Sequence, residues 1–399
     1  MGLLKLLFFL FLISFPIAEI GKVQLDNGVS VSINDVLLLL LVSAWIFIKI
    51  RYKKRKKYFL QKPILIFVSI CLITLILNFY NLTAETFFVS FLYLSRFVFY
   101  ASLYFIVKEF DLNTKNNVSF LLLFSGFITV LIGYIQYFFY PNLGNLFYLG
   151  WDEHLYRMFS SFLDPNFAGA FFVLYFIYTL TFVKDYFIKR KIYSLISVSF
   201  LSVLTLIAVY LTYSRSALIM LFVSAITYLI LIKKKRFIVI LVLFLILMVF
   251  VSPKSFQTEG TNLLRTVSSE ARIVSMKQGI FIFEKNPVFG VGFNAYRYAQ
   301  NKYLGLNNII WKTTHSGAGT DNSFIFVLAT TGIVGFITYL YLLYKIFLLS
   351  GNNLIKNKYA IVLFSSLLGL TAGSIFINSL FYVFILEWVF ILAGLIENN

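Results

Sequence analysis

The side chains best suited to chemistry lie in a polar stretch that runs from Ser268 to Asn322. Arg272 falls in the first turn of a predicted helix, where free N–H groups favour a bound anion. Asp321 precedes the next apolar run, so it could be a general base or only a helix cap. His315 lies six residues before it and could share the role of base or be an exposed loop residue. The stretch therefore predicts an anion site beside a base.

Arg215 is a second candidate for binding an anion. It lies in T-Y-S-R-S-A, where one apolar run turns into the next. Its planar fork suits a phosphate group, and a lipid-headgroup anchor is the alternative. Gly290 and Gly292, in P-V-F-G-V-G-F, could form a nest of N–H groups for the same phosphate or simply a turn that ends a helix.

Two charged residues fall inside apolar runs. Arg96 lies in the middle of one run and should pair inside the helix bundle, and Glu387 in the last run is its candidate partner. The pair could be structural or could line a cavity. Aromatic side chains in the polar segments could stack on sugar rings or anchor the chain at a membrane interface. These aromatic residues are Trp151, Tyr156, Tyr296 and Trp311.

Composition indicates how these residues are positioned. Of 399 residues, 60% are hydrophobic and only 13% are charged, which is typical of an all-α polytopic membrane protein. The net charge of +18 sits in short basic clusters between apolar runs, so membrane orientation explains it better than nucleic-acid binding does. Cys71 is the only cysteine, and no spacing of ligands predicts a metal site.

The apolar runs are roughly 17–25 residues long and predict about twelve transmembrane helices. The basic cluster Arg51–Lys57 marks the cytoplasmic side, which places both termini in the cytoplasm. Two longer segments, 141–164 and 253–321, then face outside. The second segment should contain an amphipathic helix that lies on the membrane with Ile273, Met276, Ile280 and Phe283 on its apolar face.

Several motifs occur in a specific order. D-P-N at 164–166 is followed by S-R-S-A, by A-R-x-x-x-x-x-x-G with N-P-V-F-G-V-G-F, and by D-N-S-F-x-x-x-L-A-T-T-G-I-V-G. Together they resemble the O-antigen ligase and polysaccharide polymerase family, of the Wzy/WaaL type, over residues 160 to 340. We therefore divide the chain into N-terminal spans, 1–160, and a ligase- or polymerase-like region, 161–399.

The resemblance implies a GT-C-like membrane glycosyltransferase of the bacterial inner membrane, with its active site on the outer face. The donor would be an oligosaccharide on undecaprenyl diphosphate, and no cofactor or metal would be needed. Arg215 and Arg272 correspond to family arginines that bind the diphosphate. Many relatives have His where this chain has Asp321, which favours a polymerase with Asp321 as base and His315 as second candidate.

Other functions remain open at this point. A ligase that transfers the polymer to lipid A-core would use the same donor. A flippase or transporter of lipid-linked oligosaccharide belongs to another class, and it predicts charged residues along several spans, of which Arg96 and Glu387 are the clear cases. For a polymerase of O-antigen, capsule or another surface polysaccharide, the expected partners are membrane lipid, a chain-length regulator and a flippase.

Overall fold

The computed structural model describes residues 2–24, 29–52, 57–243, 258–263, 265–305 and 319–397. Over these ranges the chain is built from α-helices, with a single short strand pair. The helices are α1 Gly2–Ser14, α2 Ile33–Tyr52, α3 Gln61–Leu77, α4 Ala84–Glu109, α5 Leu112–Phe139, α6 Pro165–Ile188, α7 Ile192–Leu211, α8 Arg215–Leu231, α9 Val267–Lys285, α10 Tyr296–Leu304, α11 Ser323–Gly351, α12 Lys358–Gly373 and α13 Val383–Ile396.

Among the described residues, seven helical segments are long and apolar enough to cross a membrane. Four shorter apolar helices, α3, α8, α12 and α13, accompany them. The predicted all-α architecture of a polytopic membrane protein is confirmed by this pattern. The predicted run 236–252 is described only as far as residue 243, with residues 237–243 helical. The number of about twelve spans therefore stays a prediction.

The first apolar run does not form one continuous helix. α1 ends at Ser14 and continues as a 3₁₀ turn, Phe15–Gly21, with Pro16 near its start. Proline has no N–H to donate to the preceding turn, so the α-helical bonding stops here. The chain then forms an antiparallel hairpin of β1, Lys22–Gln24, and β2, Ser30–Ser32. This hairpin leads directly into α2.

The C-terminal helix α13 lies at the centre of the bundle and packs against α4. Its Trp388 is fully buried and contacts the rings of Phe171, Tyr175 and Tyr178 on α6. On the other side, α6 packs against α7, and α8 packs against α12. The last helix therefore connects the N-terminal helices to the region that carries the sequence motifs.

The glycine-rich motif 287–292 forms backbone hydrogen bonds with α11 at a point where that helix is interrupted. Gly332 has φ 65° inside this helix, so the backbone bonds there are interrupted. The N–H of Ile333 donates instead to the carbonyl of Pro287, at 2.9 Å. The N–H of Gly292 donates to the carbonyl of Thr330, also at 2.9 Å. The two motifs that looked separate in sequence thus form one packed unit.

This arrangement corrects the phosphate-nest interpretation of Gly290 and Gly292. The N–H of Gly290 is bonded to the carbonyl of Asn286 at 2.9 Å, so both glycine N–H groups already have protein acceptors. A Cβ on Gly290, whose φ is 64°, would lie 2.4 Å from the backbone of Thr330. Gly290 is therefore required for close packing of the motif on α11, and Gly292 has φ 102°, a backbone conformation that favours glycine.

The helix α9 packs against the bundle through a face that the sequence did not predict. This inward face consists of Gly279, which packs against Ile325, and of the fully buried Ile282. Ile273 and Ile280, which were predicted to face the membrane, are 52% and 45% exposed, so their contact with the membrane stays a prediction. The inward face is set by small residues that allow close approach to α11, a feature that apolar periodicity alone does not reveal.

Candidate active site

A cavity of about 840 Å³ opens where the two long polar segments meet the helix ends. The segment 150–167, the start of α9 and residues 319–321 line one part of it. The 3₁₀ turn after α1, β1 and the middle of α4 line another part. Segments that are more than 200 residues apart in sequence therefore share one cavity.

Asn166 organises the polar wall of this cavity. Its side-chain oxygen accepts hydrogen bonds from Arg157 and Arg272, each at 3.4 Å, and from the Ser214 hydroxyl at 3.0 Å. Asn166 is held in turn because Asp164 caps α6 and accepts a bond from the Asn166 N–H at 2.6 Å. The D-P-N motif thus fixes the position of two guanidinium groups.

Arg215 holds the start of α9 against α8. One guanidinium nitrogen donates to the carbonyl of Arg265 at 2.8 Å and the other to the Ser268 hydroxyl at 2.7 Å. Arg215 does not line the cavity, whereas Arg157, Arg265 and Arg272 do. Both of its hydrogen bonds go to the segment that carries Arg265 and leads to Arg272.

Arg265 is 6% exposed, and its guanidinium is hydrogen-bonded to the short segment that precedes α9. Its guanidinium donates to the carbonyls of Gly260 at 2.8 Å and Asn262 at 3.1 Å, and its Nε donates to Ser268 at 3.0 Å. These three acceptors are neutral oxygen atoms, and the hydrogen bonds to them fix the position of the guanidinium.

The arginine end of the cavity, defined by Arg157, Arg265 and Arg272, is crowded with positive charge. Within the described ranges, neither Arg157 nor Arg272 forms an ion pair with a carboxylate. Burial and the neighbouring arginines lower the pKa of Arg157 to about 9, although Asp164 opposes the shift. A bound anion would relieve this repulsion, as is typical of a phosphate site.

Asp321 lies in the same cavity and is not the residue that caps α11. Asn322, not Asp321, caps α11, since its side chain accepts from the N–H groups of Phe324 and Ile325. Burial raises the pKa of Asp321, and the carboxylates of Asp164 and Asp152 add to that shift, whereas Arg272 opposes it. A carboxylate with a raised pKa is a better proton acceptor near neutral pH.

His154 also lines the cavity, and sequence reasoning missed it. Its Nε2 lies 3.8 Å from the Asp164 carboxylate. Burial lowers the pKa of His154, with Asp164 opposing and Arg157 adding to the shift, so the ring is neutral near pH 7. Within the described chain, the cavity's acidic and imidazole groups do not form a three-ligand metal cluster.

The predicted sugar-stacking residues have different positions. Trp151 lines the cavity, but Tyr156 is 38% exposed and does not. Tyr296 is only 1% exposed and packs against Phe326, so it cannot stack on a sugar and its predicted role is wrong. His315 and Trp311 lie outside the described residues.

The predicted pair of Arg96 and Glu387 is corrected. Arg96 forms an ion pair with Asp35 at 2.8 Å and also donates to the carbonyl of Ser30. Glu387 is fully buried and accepts a bond from Asn34 at 3.4 Å. Both charges do lie inside the bundle, but Asp35 is the partner of Arg96. Asp35 was missed because it sits at the edge of an apolar run, where it looked like a first-turn acid.

Two of the arginines at this site also escaped the sequence analysis. Arg157 follows His154 in E-H-L-Y-R, and Arg265 precedes the predicted start of α9. Both looked like ordinary loop cations, because only the fold brings them to Asn166 and Ser268. The useful signal was D-P-N, since that motif marks the residue that holds Arg157 and Arg272.

Comparison with known protein families gives a match over part of the chain. Residues 200–340 match the O-antigen ligase family. The match runs from α7 into α11 and includes Arg215, Arg265, Arg272 and Asp321. It confirms the resemblance that the motifs predicted, and with the apolar helices it indicates an integral membrane enzyme of the O-antigen ligase or polymerase type. No curated protein matches the chain closely enough to serve as a relative.

Members of this type use a lipid-linked oligosaccharide. The part of the cavity wall outside the O-antigen ligase match comes from two regions. The segment 150–167 supplies Arg157 and Asn166, and the N-terminal helices supply the wall around Arg96. The family match therefore covers Arg265 and Arg272 at the arginine end but not the whole cavity.

Proposed function

We propose that this protein polymerises undecaprenyl-diphosphate-linked oligosaccharide repeat units into a surface polysaccharide on the outer face of the bacterial inner membrane. The observation that carries the proposal is the arginine end beside Asp321. Arg157 and Arg272 meet at one amide oxygen, and their charge is not cancelled by a carboxylate in the described ranges.

In the proposed reaction, a hydroxyl of the acceptor sugar attacks C1 of the donor sugar. The bond between C1 and the diphosphate oxygen breaks, and undecaprenyl diphosphate leaves with the bonding electron pair. Arg157, Arg265 and Arg272 stabilise the negative charge that develops on this leaving group. Asp321 accepts the proton of the attacking hydroxyl. His315 remains the second candidate for this base.

Arg215 contacts the segment that precedes Arg272. It binds the carbonyl of Arg265 and the hydroxyl of Ser268, one helical turn before Arg272. We therefore propose that it orients the diphosphate-binding residues without touching the diphosphate itself. Trp151 is the aromatic residue that we retain for sugar contact, because it lines the cavity.

The experiment is reconstitution of the purified protein with lipid-linked repeat units extracted from cells that lack it. Wild-type protein should extend these units, with and without EDTA, and the Asp321→Asn variant should not. Lys277→Ala is a matched control, because Lys277 is on α9 but does not line the cavity. A wild-type protein that only moves lipid-linked units across vesicles would identify a flippase instead.

A ligase is the second candidate, because the matched family is described as O-antigen ligase and a ligase would use the same donor. Glycan length in a deletion strain separates the two. Loss of long chains with single units still attached supports a polymerase. Loss of all attached glycan supports a ligase, with the same donor site and lipid A-core as acceptor.

A further inference from the structure

The cavity has a second charged group that the proposed diphosphate site does not use. Glu19 and Lys22, from the turn and strand after α1, form an ion pair at 2.8 Å. Tyr93 and Arg96, one turn apart on α4, line the same cavity. We call Glu19, Lys22, Tyr93 and Arg96 the N-terminal end of the cavity.

The two ends are electrostatically different. At the N-terminal end, each cation has a carboxylate partner, since Lys22 pairs with Glu19 and Arg96 pairs with Asp35 at 2.8 Å. At the arginine end, neither Arg157 nor Arg272 forms an ion pair with a carboxylate within the described ranges. A diphosphate is therefore bound more favourably at the arginine end, whereas the N-terminal end has little net charge to attract it.

The N-terminal end has the groups that bind an uncharged sugar. Paired charges still offer hydrogen-bond donors and acceptors, and hydroxyl groups can use both. Tyr93 adds an aromatic ring, whose face lies 5.2 Å from the Arg96 guanidinium carbon. Polar groups placed among aromatic side chains are typical of small-molecule sites.

The two ends are joined by a continuous aromatic wall. Tyr382 lines the same cavity as Glu19 of the N-terminal end and Asp164 beside the arginine end. Its ring stacks on Phe167 with centroids 4.0 Å apart, and both residues line the cavity. A ligand at the N-terminal end would thus be next to one at the arginine end.

We propose that the N-terminal end binds the acceptor oligosaccharide, through an uncharged, hydroxyl-rich sugar that contacts Lys22, Glu19 and Tyr93. This inference rests on the proposed glycosyl transfer and adds the place of its second substrate. None of these residues lies in the region that matches the family, 200–340. Acceptor selection would then be encoded by the N-terminal helices of this chain, apart from the donor site.

The test uses purified protein in detergent and the fluorescence of its tryptophans, one of which, Trp151, lines the cavity. One probe is farnesyl diphosphate, for the arginine end. The other is the free oligosaccharide released by mild acid from the lipid-linked repeat unit. The variants are Tyr93→Ala and Lys22→Gln, with Tyr80→Ala and Lys62→Gln as controls outside the cavity.

Tyr93→Ala and Lys22→Gln should each weaken oligosaccharide binding by about tenfold, the equivalent of roughly 1.4 kcal/mol. Farnesyl diphosphate binding should stay within about twofold of wild type, as for the two controls. Arg272→Ala should give the opposite pattern. Tyr93→Phe keeps the ring and should bind nearly as wild type, which separates local contact from misfolding.

The outcomes distinguish the two proposals. If the oligosaccharide binds wild type and both variants equally, or does not bind at all, the acceptor site is wrong. If the variants lose farnesyl diphosphate binding instead, the N-terminal end is part of the donor site and the inference is overturned. If wild type fails to bind farnesyl diphosphate, the proposed diphosphate site itself is wrong.

Discussion

Arg96 and Arg272 are held in different ways. Arg96 is neutralised by Asp35, which also accepts bonds from Tyr100 at 2.9 Å and from Ser32 at 2.8 Å. Arg272 is held by the neutral side chain of Asn166. A cation paired with a carboxylate adds little net field, and removal of either partner leaves an uncompensated charge, whereas a cation held by neutral acceptors keeps its charge for a ligand.

The two kinds of arginine also belong to different regions of the chain. The paired arginine belongs to the N-terminal helices, and Arg265 and Arg272 belong to the region that matches the O-antigen ligase family. The cavity joins the two regions. Variants at the arginine end should therefore lose transfer activity, whereas variants at Arg96 should lose stability.

Arg272→Ala should reduce transfer in the reconstituted system by about 100-fold or more, because a charge that stabilises the leaving group is lost. Its fold should be unaffected, since its described bond is one contact of 3.4 Å to Asn166. The measurement is initial rate of chain extension beside a thermal melt. Activity within a few-fold of wild type, at equal protein level, would contradict the role of the arginine end.

Arg96→Met should reduce the stability of the protein and leave its binding of farnesyl diphosphate unchanged. Removing one partner of a buried pair leaves Asp35 unpaired, so the free energy of unfolding should fall by about 3 kcal/mol. The double variant Arg96→Met with Asp35→Leu should recover much of this loss. Thermal melts check the stability, and farnesyl diphosphate binding to the folded fraction should be unchanged. Loss of that binding at full stability would mean that Arg96 also serves the donor.

Arg215→Ala should have an intermediate effect, because Arg215 acts through the segment that it anchors. Two hydrogen bonds to Arg265 and Ser268 are lost, and because they only position the segment before Arg272, the rate should fall by roughly tenfold. Protease cleavage near residues 258–268 should become faster. Ser268→Ala, which keeps every arginine, should reproduce part of both effects. A variant with normal cleavage but no binding of farnesyl diphosphate would place Arg215 on the ligand instead.

The smallest effect concerns pH. If Asp321 is the base, kcat/KM should fall as the pH drops through its pKa, which burial raises above the ordinary 3.8. Asp152→Asn removes a negative neighbour that raises this pKa, so the acid limb should move to lower pH by a few tenths of a unit. Arg272→Gln should move it to higher pH. Shifts in the same direction for both variants would show that another group is titrating.

Sequence patterns predicted some parts of this molecule and missed others for physical reasons. Apolar runs predicted the helices, because a span of α-helix requires a fixed length of apolar residues. The order of motifs predicted the family match, and the fold brings Arg215 near Arg272, since Arg215 donates to Ser268, one helical turn before Arg272. The motif glycines were misread because their packing partner, Thr330, is in another motif.

The missed residues depend on contacts that are distant in the chain. Arg157 reaches the carbonyl of Thr212 at 2.9 Å, a residue in the turn between α7 and α8. Asp35 reaches Arg96 across two helices. Pairings of this kind leave no periodic signal, so their charges looked like ordinary surface or cap residues. Only the tertiary structure separates the paired charges from the unpaired ones.

The central claim is that the arginine end binds the donor diphosphate. Its most direct test is a structure of the protein with farnesyl thiodiphosphate, a slowly hydrolysed analogue of the donor's lipid diphosphate. We expect phosphate oxygens within hydrogen-bond distance of Arg157 and Arg272, with Arg215 still bound to Ser268. Diphosphate bound at the N-terminal end beside Arg96, with Arg157 and Arg272 unoccupied, would contradict it.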